Sequence, residues 1–244
     1  MMSILQPRDL DILQFIGKFG YCQERHIAKL CDVRDVQASR IIKRLSDGGY
    51  INKVKVLANV SAYLLLTRQS GQLLDVKPIT KPSLNTLAHD TLLVDLYFYL
   101  QNKFSLEHAE IKADKQIRKD LGIHEINDKL RIPDLLINDN ISIELEISEK
   151  PKAKLQEIIN SYVIDNSIQL ICYFLKSKPL LKKIHALTND SDKFKFFLFE
   201  FDEADKIIVN VNEHINGEFS SENINNILAT PEPLVKRFGS FVFE

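Results

Sequence analysis

The sequence predicts an α/β protein in two parts, and three observations support this fold class. The first third contains three helix-like segments followed by two short β-rich runs. The remaining two thirds alternate apolar strands with helices, an order typical of α/β sheets. The stretch between them, 75–84, carries Pro78 and Pro82, which disfavour helix. We therefore predict one domain over residues 1–80 and a second over residues 81–244.

Charge is divided unevenly between these parts, although the formal net charge of the whole chain is only −1. Residues 1–81 contain 13 Lys and Arg against 7 Asp and Glu, a net charge of +6. Residues 82–244 contain 19 basic against 26 acidic residues, a net charge of −7. The basic first part is the one suited to a polyanion such as nucleic acid.

Two further features bear on where the protein works. No apolar run approaches the roughly 20 residues that span a bilayer, and a charged pair stands where an export signal would have its apolar core. The three cysteines, Cys22, Cys31 and Cys172, have no metal-ligand spacing. We expect a cytoplasmic protein with reduced thiols and no membrane insertion.

Apolar residues at helical spacing indicate the helices of the first part. Leu10, Leu13 and Ile16 share one face of the first helix, and Pro7 is favourable in its first turn. The predicted elements are helices at 7–18, 23–30 and 35–49, β-rich runs at 50–57 and 60–67, and a closing helix at 68–74.

Three helices followed by a two-stranded ribbon is the order of a winged helix-turn-helix. Such a module places its third helix in the major groove and its wing on the DNA backbone. On this interpretation Gln37 and Arg40 read base edges. The residues expected to neutralise phosphates are Arg34, Lys43, Arg44, Lys53 and Lys55. A solvated basic helix face, or a winged helix that docks on protein, would give the same pattern.

The second part predicts a mixed sheet with helices on both faces. A βαβ crossover joins "ISIELEIS" to "IQLICYFL", so these two strands should be parallel and central. The predicted elements are a helix at 83–104, a strand at 106–112, an irregular stretch to 130, two strands within 131–148, a helix at 151–165, a strand at 168–176, a helix at 179–189, a strand at 193–202 and an edge strand at 206–215.

Three acids lie among the apolar residues of "RIPDLLINDNISIELEIS", 131–148. Alternation puts Glu144 and Glu146 on one face of their strand, and Asp134 on the neighbouring strand can meet that face. Clustered buried carboxylates need a cation or several donors. A divalent metal with oxygen ligands, Mg²⁺ or Mn²⁺, satisfies them and can activate water at a phosphodiester. Alternatively, the acids line a wet edge, with Arg131 and Lys150 as ordinary salt-bridge partners.

The spacing of these acids resembles the PD-(D/E)xK motif of restriction-endonuclease-like nucleases. Asp134 and Glu144 match its first two acids, whereas its third position, normally Lys, is Glu146. The resemblance implies a restriction-endonuclease-like mixed-sheet α/β sandwich for the second part. Either Lys150, or Lys152 or Lys154, supplies the missing base, or the site uses no such lysine.

Four stretches together resemble the replication-relaxation family, whose members include MobC-type relaxases of mobilisable plasmids. They are "RDLDILQFIGKFGYCQERHIAKL", "SLNTLAHDTLLVDLYFYL", "RIPDLLI" and "IELEISEKPKAKLQEIINSY". The resemblance implies recognition of a transfer origin and nicking of one strand with a divalent metal. It also implies His89 and Asp95, on the helix before the sheet, as possible site members. Alternatively, His89 is a core histidine on the leucine face of that helix.

The resulting hypothesis is metal-dependent, site- and strand-specific DNA nicking at a plasmid transfer origin, as in conjugative mobilisation. Asp134, Glu144 and Glu146 would hold the metal, and Lys150 would stabilise charge on the phosphate. The implied partners are double-stranded DNA with a transfer origin, a coupling ATPase and other relaxosome proteins, while the oligomeric state stays open. The alternative is a non-catalytic winged-helix regulator, or a replication or relaxosome accessory protein, with a degenerate nuclease fold.

Covalent phosphotyrosine chemistry has little support in the sequence. That class of relaxase needs a His-x-His type of metal cluster, which the six histidines do not form. Tyr21 is expected to be a packing residue, and Tyr162, one helix away from the acids, is a distant alternative nucleophile.

Overall fold

The N-terminal part of the chain folds as helices around a small antiparallel sheet. A computed structural model of the protein describes residues 5–58, 60–104, 111–122, 131–189, 191–202, 207–215 and 218–220. The N-terminal elements are α1 (Pro7–Phe19), β1 (Tyr21–Gln23), α2 (Glu24–Leu30), α3 (Asp35–Asp47), β2 (Ile51–Val54), β3 (Tyr63–Leu66) and α4 (Arg68–Leu74). The strand order is β1-β3-β2, with both pairs antiparallel. The predicted helices and the β2–β3 ribbon are confirmed, while the short strand β1 was not predicted.

The C-terminal part is built on a seven-stranded mixed sheet. Its elements are α5 (Leu87–Phe104), β4 (Ile111–Ala113), α6 (Asp114–Asp120), β5 (Leu135–Ile137), β6 (Ile141–Glu146), α7 (Lys152–Ile164), β7 (Leu170–Leu175), α8 (Lys178–His185), β8 (Phe194–Asp202), β9 (Ile207–Ile215) and β10 (Glu218–Ser220). The strand order is β10-β9-β8-β7-β6-β5-β4. The pairs β6–β7 and β7–β8 are parallel and the other pairs are antiparallel. The predicted mixed α/β class and the parallel central pair are thereby confirmed.

Three local predictions for this part were wrong. Helix α5 begins at Leu87 rather than near residue 83, and the stretch expected to be irregular contains α6. Strand β9 is paired on both sides, since β10 lies beyond it in the sheet. Residues 221–244 of the predicted second domain lie outside the described residues.

Each face of the large sheet is covered by its own apolar layer. Ile143 and Leu145 of β6 point into a core shared with α5 and α1. Tyr173 of β7 points to the opposite face, where α7 and α8 complete a second core. Strand β6 is therefore buried on both sides, as its burial pattern shows. A polar residue on either face of β6 must find its partners within the protein.

Helix α5 joins the two parts of the chain. Phe15 of α1 lies 5.4 Å from Phe98 and 5.9 Å from Tyr97, measured between ring centroids. One apolar cluster accordingly contains side chains from both sides of the linker. The domain boundary near residue 80 stays a prediction, because this shared core couples the parts it separates.

A tight turn sets the register of the β5–β6 hairpin. Asn138 and Asp139 adopt positive φ angles of 50° and 61°, a conformation that Asn and Asp tolerate better than other side chains with a Cβ. The turn pairs Leu135 with Ile143. Asp134 is thus brought level with the middle of β6, where Glu144 lies.

None of the helices within the described ranges is long and apolar enough to cross a membrane.

The shared core predicts a large difference between two leucines on helices. Leu96 of α5 is fully buried, whereas Leu73 of α4 is 53% exposed. We expect Leu96→Ala to lower the free energy of unfolding by about 2–5 kcal/mol, because it removes buried methyl groups and leaves a cavity. Leu73→Ala should change it by about 0.5 kcal/mol or less. Urea denaturation measures both, and equal effects would contradict the assigned core.

Candidate active site

Asp134 is held against the middle of β6 by its carboxylate. Its Oδ2 accepts a hydrogen bond from the backbone N of Leu145 at 2.8 Å and lies 3.2 Å from Nε2 of His89. Leu145 lies between Glu144 and Glu146 in the chain, so this bond places the carboxylate of Asp134 beside the backbone that carries both glutamates. Burial alone would raise the pKa of Asp134, but the bonds from His89 and Leu145 hold it below the usual value.

Glu144 is fully buried and accepts hydrogen bonds from two side chains. Arg131 and Tyr162 each donate to one of its carboxylate oxygens. The hydroxyl of Tyr162 also lies 2.9 Å from Oγ of Ser142. Burial raises the pKa of Glu144 to about 7, and the positive charge of Arg131 opposes that rise. The carboxyl group is therefore poised between its neutral and charged forms near neutral pH.

Glu146 is also buried, with 3% of its surface exposed. Its Oε1 accepts from Nζ of Lys150, four residues later. The amine that the sequence assigned to a phosphate is thus bound to a carboxylate. The wet-edge alternative is partly right: the expected salt bridges of Arg131 and Lys150 exist, but the glutamates they hold lie inside the protein.

His89 bridges two carboxylates. Its Nε2 faces Asp134, and its Nδ1 lies 3.2 Å from Oδ1 of Asp90. Desolvation lowers the pKa of His89, but its bonds to Asp134 and Asp90 outweigh this and raise the value to about 10. The ring is then an imidazolium at neutral pH and donates from both nitrogens. His89 therefore contacts Asp134 directly, as expected of a site member. It does not lie on the leucine face of α5, as the alternative interpretation required.

Asp95 is placed elsewhere, at the contact between α5 and α2. Its two oxygens accept from the guanidinium of Arg25 at 2.6 and 2.7 Å. Nε2 of His26 lies 3.3 Å away and Nζ of Lys29 lies 3.6 Å away. The carboxylate therefore binds the N-terminal part to α5 and does not join the acids around Asp134.

Two polar atoms near Glu144 are buried and have no hydrogen-bond partner among the described residues. They are Oη of Tyr173 and Nε of Arg131. Tyr173 is paired with Glu144 in the β6–β7 register, and burial followed by the charge of Glu144 raises its pKa strongly. Sequence reasoning did not find Tyr173, because the strand that carries it is apolar throughout and its register depends on the crossover.

Two other partners of the site were also missed. Asp90 was not considered, and Tyr21 was expected only to pack. In the structure the hydroxyl of Tyr21 donates to Oδ2 of Asp90 at 2.5 Å, which also accepts from Oγ1 of Thr86 at 2.8 Å. No local motif marks this contact, since 69 positions separate Tyr21 from Asp90.

Most of the predicted DNA-contacting side chains lie on the solvent side of α3. Arg34, Gln37, Arg40 and Lys43 are exposed. Lys43 forms a surface pair with Asp47 at 2.6 Å. Exposed side chains on the first turns of such a helix can enter a groove without repacking the protein.

The other three predicted phosphate contacts differ from one another. Arg44 is bound to Asp9, which is fully buried, so its charge stabilises the fold at least in part. Lys53 lies 3.3 Å from Glu24 across the surface, and Lys55 is exposed. Arg44 thus has a structural contact, whereas the other six predicted DNA-contacting side chains are exposed.

The carboxylates around Asp134 offer oxygen donors to a divalent metal. Oδ1 of Asp134 and Oε2 of Glu146 accept no hydrogen bond from any described residue, and carboxylate oxygens suit Mg²⁺ or Mn²⁺. The other oxygens are held by His89, Arg131 and Lys150. Among the described residues, no group of three or more His, Cys, Asp or Glu is already arranged around a common point. The chemistry of the donors fits such an ion, which would share them with the protein's own cations.

Comparisons with known proteins returned no relative. No family model, no curated protein and no solved structure matches the chain.

The raised pKa of His89 predicts a pH-dependent contribution to stability. Its value is about 10 in the folded protein and about 6.5 in an unfolded chain. The stabilisation is therefore complete below about pH 6.5 and is lost as the pH rises towards 10. We expect the difference in unfolding free energy between wild type and His89→Gln to shrink over this range. Urea denaturation at several pH values tests this, and a constant difference would contradict it.

Proposed function

We propose that the protein is a metal-dependent DNA-nicking enzyme whose N-terminal part binds duplex DNA and whose acids cut one strand. The observation that carries this proposal is the bond from the backbone of Leu145 to Asp134. It places a Pro-Asp carboxylate beside the Glu-x-Glu strand, the arrangement that the PD-(D/E)xK resemblance requires. Exposed cations on α3 provide the surface for DNA.

The DNA-binding half of the proposal is supported by element order and exposure. Helices α1 to α3 and the antiparallel β2–β3 ribbon follow the order of a winged helix-turn-helix. The exposed face of α3 carries Gln37, Arg40 and Val36, which is 63% exposed, and the exposed Arg34 lies at its N-cap. Arginine and glutamine read base edges, and an apolar side chain can contact a thymine methyl group.

The cleavage half is supported by the residues around Asp134. Asp134, Glu144 and Glu146 would hold Mg²⁺ or Mn²⁺, which stabilises negative charge on a phosphate and acidifies bound water. His89 fixes the orientation of Asp134 through Oδ2 and leaves Oδ1 available. Arg131, whose side chain is 27% exposed, is a cation beside the acids that can bind a phosphodiester oxygen. Lys150, bound to Glu146 at the C-terminal end of β6, is a second cation beside the acids.

The finer statement, a relaxase acting at a plasmid transfer origin, is supported by the sequence resemblance. The same resemblance supports a coupling ATPase and other relaxosome proteins as partners. The fold described above is compatible with that role because the DNA-binding surface and the acids belong to one packed body, joined by α5.

A second candidate function is DNA binding without cleavage, as a regulator or accessory protein. Two observations favour it: Glu146 occupies the position of the usual lysine, and each of the three acids already has a protein cation. Titration with Mn²⁺ by calorimetry separates the two functions. Saturable Mn²⁺ binding that is abolished in Glu144→Gln supports the nickase. Absence of saturable Mn²⁺ binding to the wild-type chain supports the regulator.

The DNA-binding surface predicts a specific loss for Arg40→Ala. Removing an exposed base-contacting arginine should weaken binding by about 1–3 kcal/mol and relax the preferred sequence. Fluorescence anisotropy measures this, with a duplex selected from a random pool by the full-length chain.

The matched control for this measurement is Lys182→Ala, which removes an exposed cation on α8. Its affinity for the duplex should stay at the wild-type value. Equal losses in the two variants would mean that binding is not located on α3.

The acid cluster predicts loss of nicking without loss of binding. Asp134→Ala should reduce the conversion of a supercoiled plasmid to open circles by about 10²-fold or more, because it removes a ligand of the charge-stabilising ion. EDTA should abolish the reaction. The plasmid carries the selected duplex, and agarose gels follow the reaction.

Asp139→Asn is the control for this experiment, since Asp139 is an exposed acid in the turn of the same hairpin. It should nick at the wild-type rate. An Asp134→Ala variant that nicks as fast as wild type would exclude the assigned site.

A further inference from the structure

A chain of hydrogen bonds runs from the N-terminal part of the protein to the acids. The hydroxyl of Tyr21 donates to Asp90 at 2.5 Å. Asp90 accepts from Nδ1 of His89 at 3.2 Å through its other oxygen. Nε2 of the same ring reaches Oδ2 of Asp134 at 3.2 Å and the carbonyl oxygen of Leu145 at 3.1 Å. Three side chains thus connect a strand of the small sheet with a carboxylate of the large one.

Tyr21 belongs to the small sheet and is fixed there. It lies on β1, pairs with Leu65 of β3, and is 4% exposed. Its ring meets the ring of Tyr63 edge-on, with 5.5 Å between the centroids. Strand β3 also pairs with β2, the other strand of the ribbon. A displacement of the ribbon relative to α5 would therefore change the distance between the Tyr21 hydroxyl and Asp90.

The contacts of its members hold this chain in place. The ring of His89 lies between two carboxylates, and each of its nitrogens is 3.2 Å from one of them. Thr86 supplies a second donor to Asp90, which fixes the carboxylate on α5. Rotation of Asp90 would change the orientation of the His89 ring, and rotation of that ring would release Oδ2 of Asp134.

A second polar network between the two parts does not reach the acids. Asp95 connects α5 with α2, but its partners are Arg25, His26 and Lys29. That network fastens the N-terminal part without touching Asp134.

We propose that Tyr21, Asp90 and His89 form a positioning relay through which seating of the N-terminal part on DNA sets the orientation of Asp134. Tyr21 and Asp90 are positioning residues: they touch neither the nucleic acid nor the acids' proposed ion. The inference rests on the proposed function and adds regulation of the same site. By linkage, occupation of the acids also changes the affinity for DNA.

The test compares two tyrosines of the same small sheet. Tyr21→Phe removes the hydroxyl that donates to Asp90. Tyr63→Phe removes a hydroxyl that lies 3.3 Å from Thr91 on the same helix α5 but outside the relay. Both variants keep the aromatic ring, so matched melting temperatures establish that neither change acts through unfolding.

Two measurements on the full-length chain report on the relay. The first is the NMR signal of the His89 ring, assigned with His89→Gln, before and after addition of the selected duplex. The second is the nicking rate with Mg²⁺, set beside the affinity for the duplex. In wild type and Tyr63→Phe, DNA should shift the His89 signal. In Tyr21→Phe the shift should be lost and the rate should fall about tenfold, within the ~5–150-fold range of typical coupling energies. The affinity for the duplex, measured without a divalent metal, should stay unchanged.

Each outcome decides a different claim. A Tyr21→Phe variant that keeps the DNA-induced His89 shift overturns the relay, whatever the nicking rate. A wild-type chain that binds the duplex but never nicks it overturns the proposed cleavage alone, because the NMR comparison still decides the relay. A chain that selects no duplex overturns both. Equal losses in Tyr21→Phe and Tyr63→Phe also overturn the relay, since only one of the two hydroxyls belongs to it.

Discussion

Keeping Glu144 inside an apolar sheet is the constraint on which the C-terminal part depends. Transfer of a lone carboxylate out of water costs several kcal/mol or more, and β6 is covered on both faces. The chain meets this cost with Arg131 from the segment before β5 and with Tyr162 from α7. The polar cluster thereby connects three separate segments across the sheet. A residue type usually found on surfaces becomes the centre about which this part is organised.

Helix α5 has a different role, because it serves both parts of the molecule. Its apolar side contributes to the core shared with α1. Its polar residues hold α2 through Asp95, the small sheet through Asp90 and the large sheet through His89. Helix α5 thus contributes both to the apolar core and to these three polar contacts. Because α5 is buried on several sides, its hydrophobic periodicity is weaker than that of α3.

Features that depend on local sequence pattern could be predicted, whereas contacts that depend on tertiary packing could not. Alternation and crossover rules were enough for the parallel β6–β7 pair and for the shared face of Glu144 and Glu146, since they depend on local pattern. The short elements β1 and α6 were missed because each has too few residues to show a period. The partners of the acids were only partly foreseen. Arg131 and Lys150 are near the acids in sequence, whereas Tyr21, Asp90 and Tyr173 reach their positions through tertiary packing alone.

The turn at Asn138 and Asp139 constrains the length of its hairpin. Successive side chains of a strand project to opposite sides, so one inserted residue would rotate Glu144 and Glu146 into the layer that α5 occupies. They would then leave Arg131 and Tyr162 behind and displace the aliphatic side chains of β6. The connection between β2 and β3 carries no comparable restriction, because none of its described residues, 55–58 and 60–62, is buried. Natural variation in chain length should therefore accumulate in one hairpin and be excluded from the other.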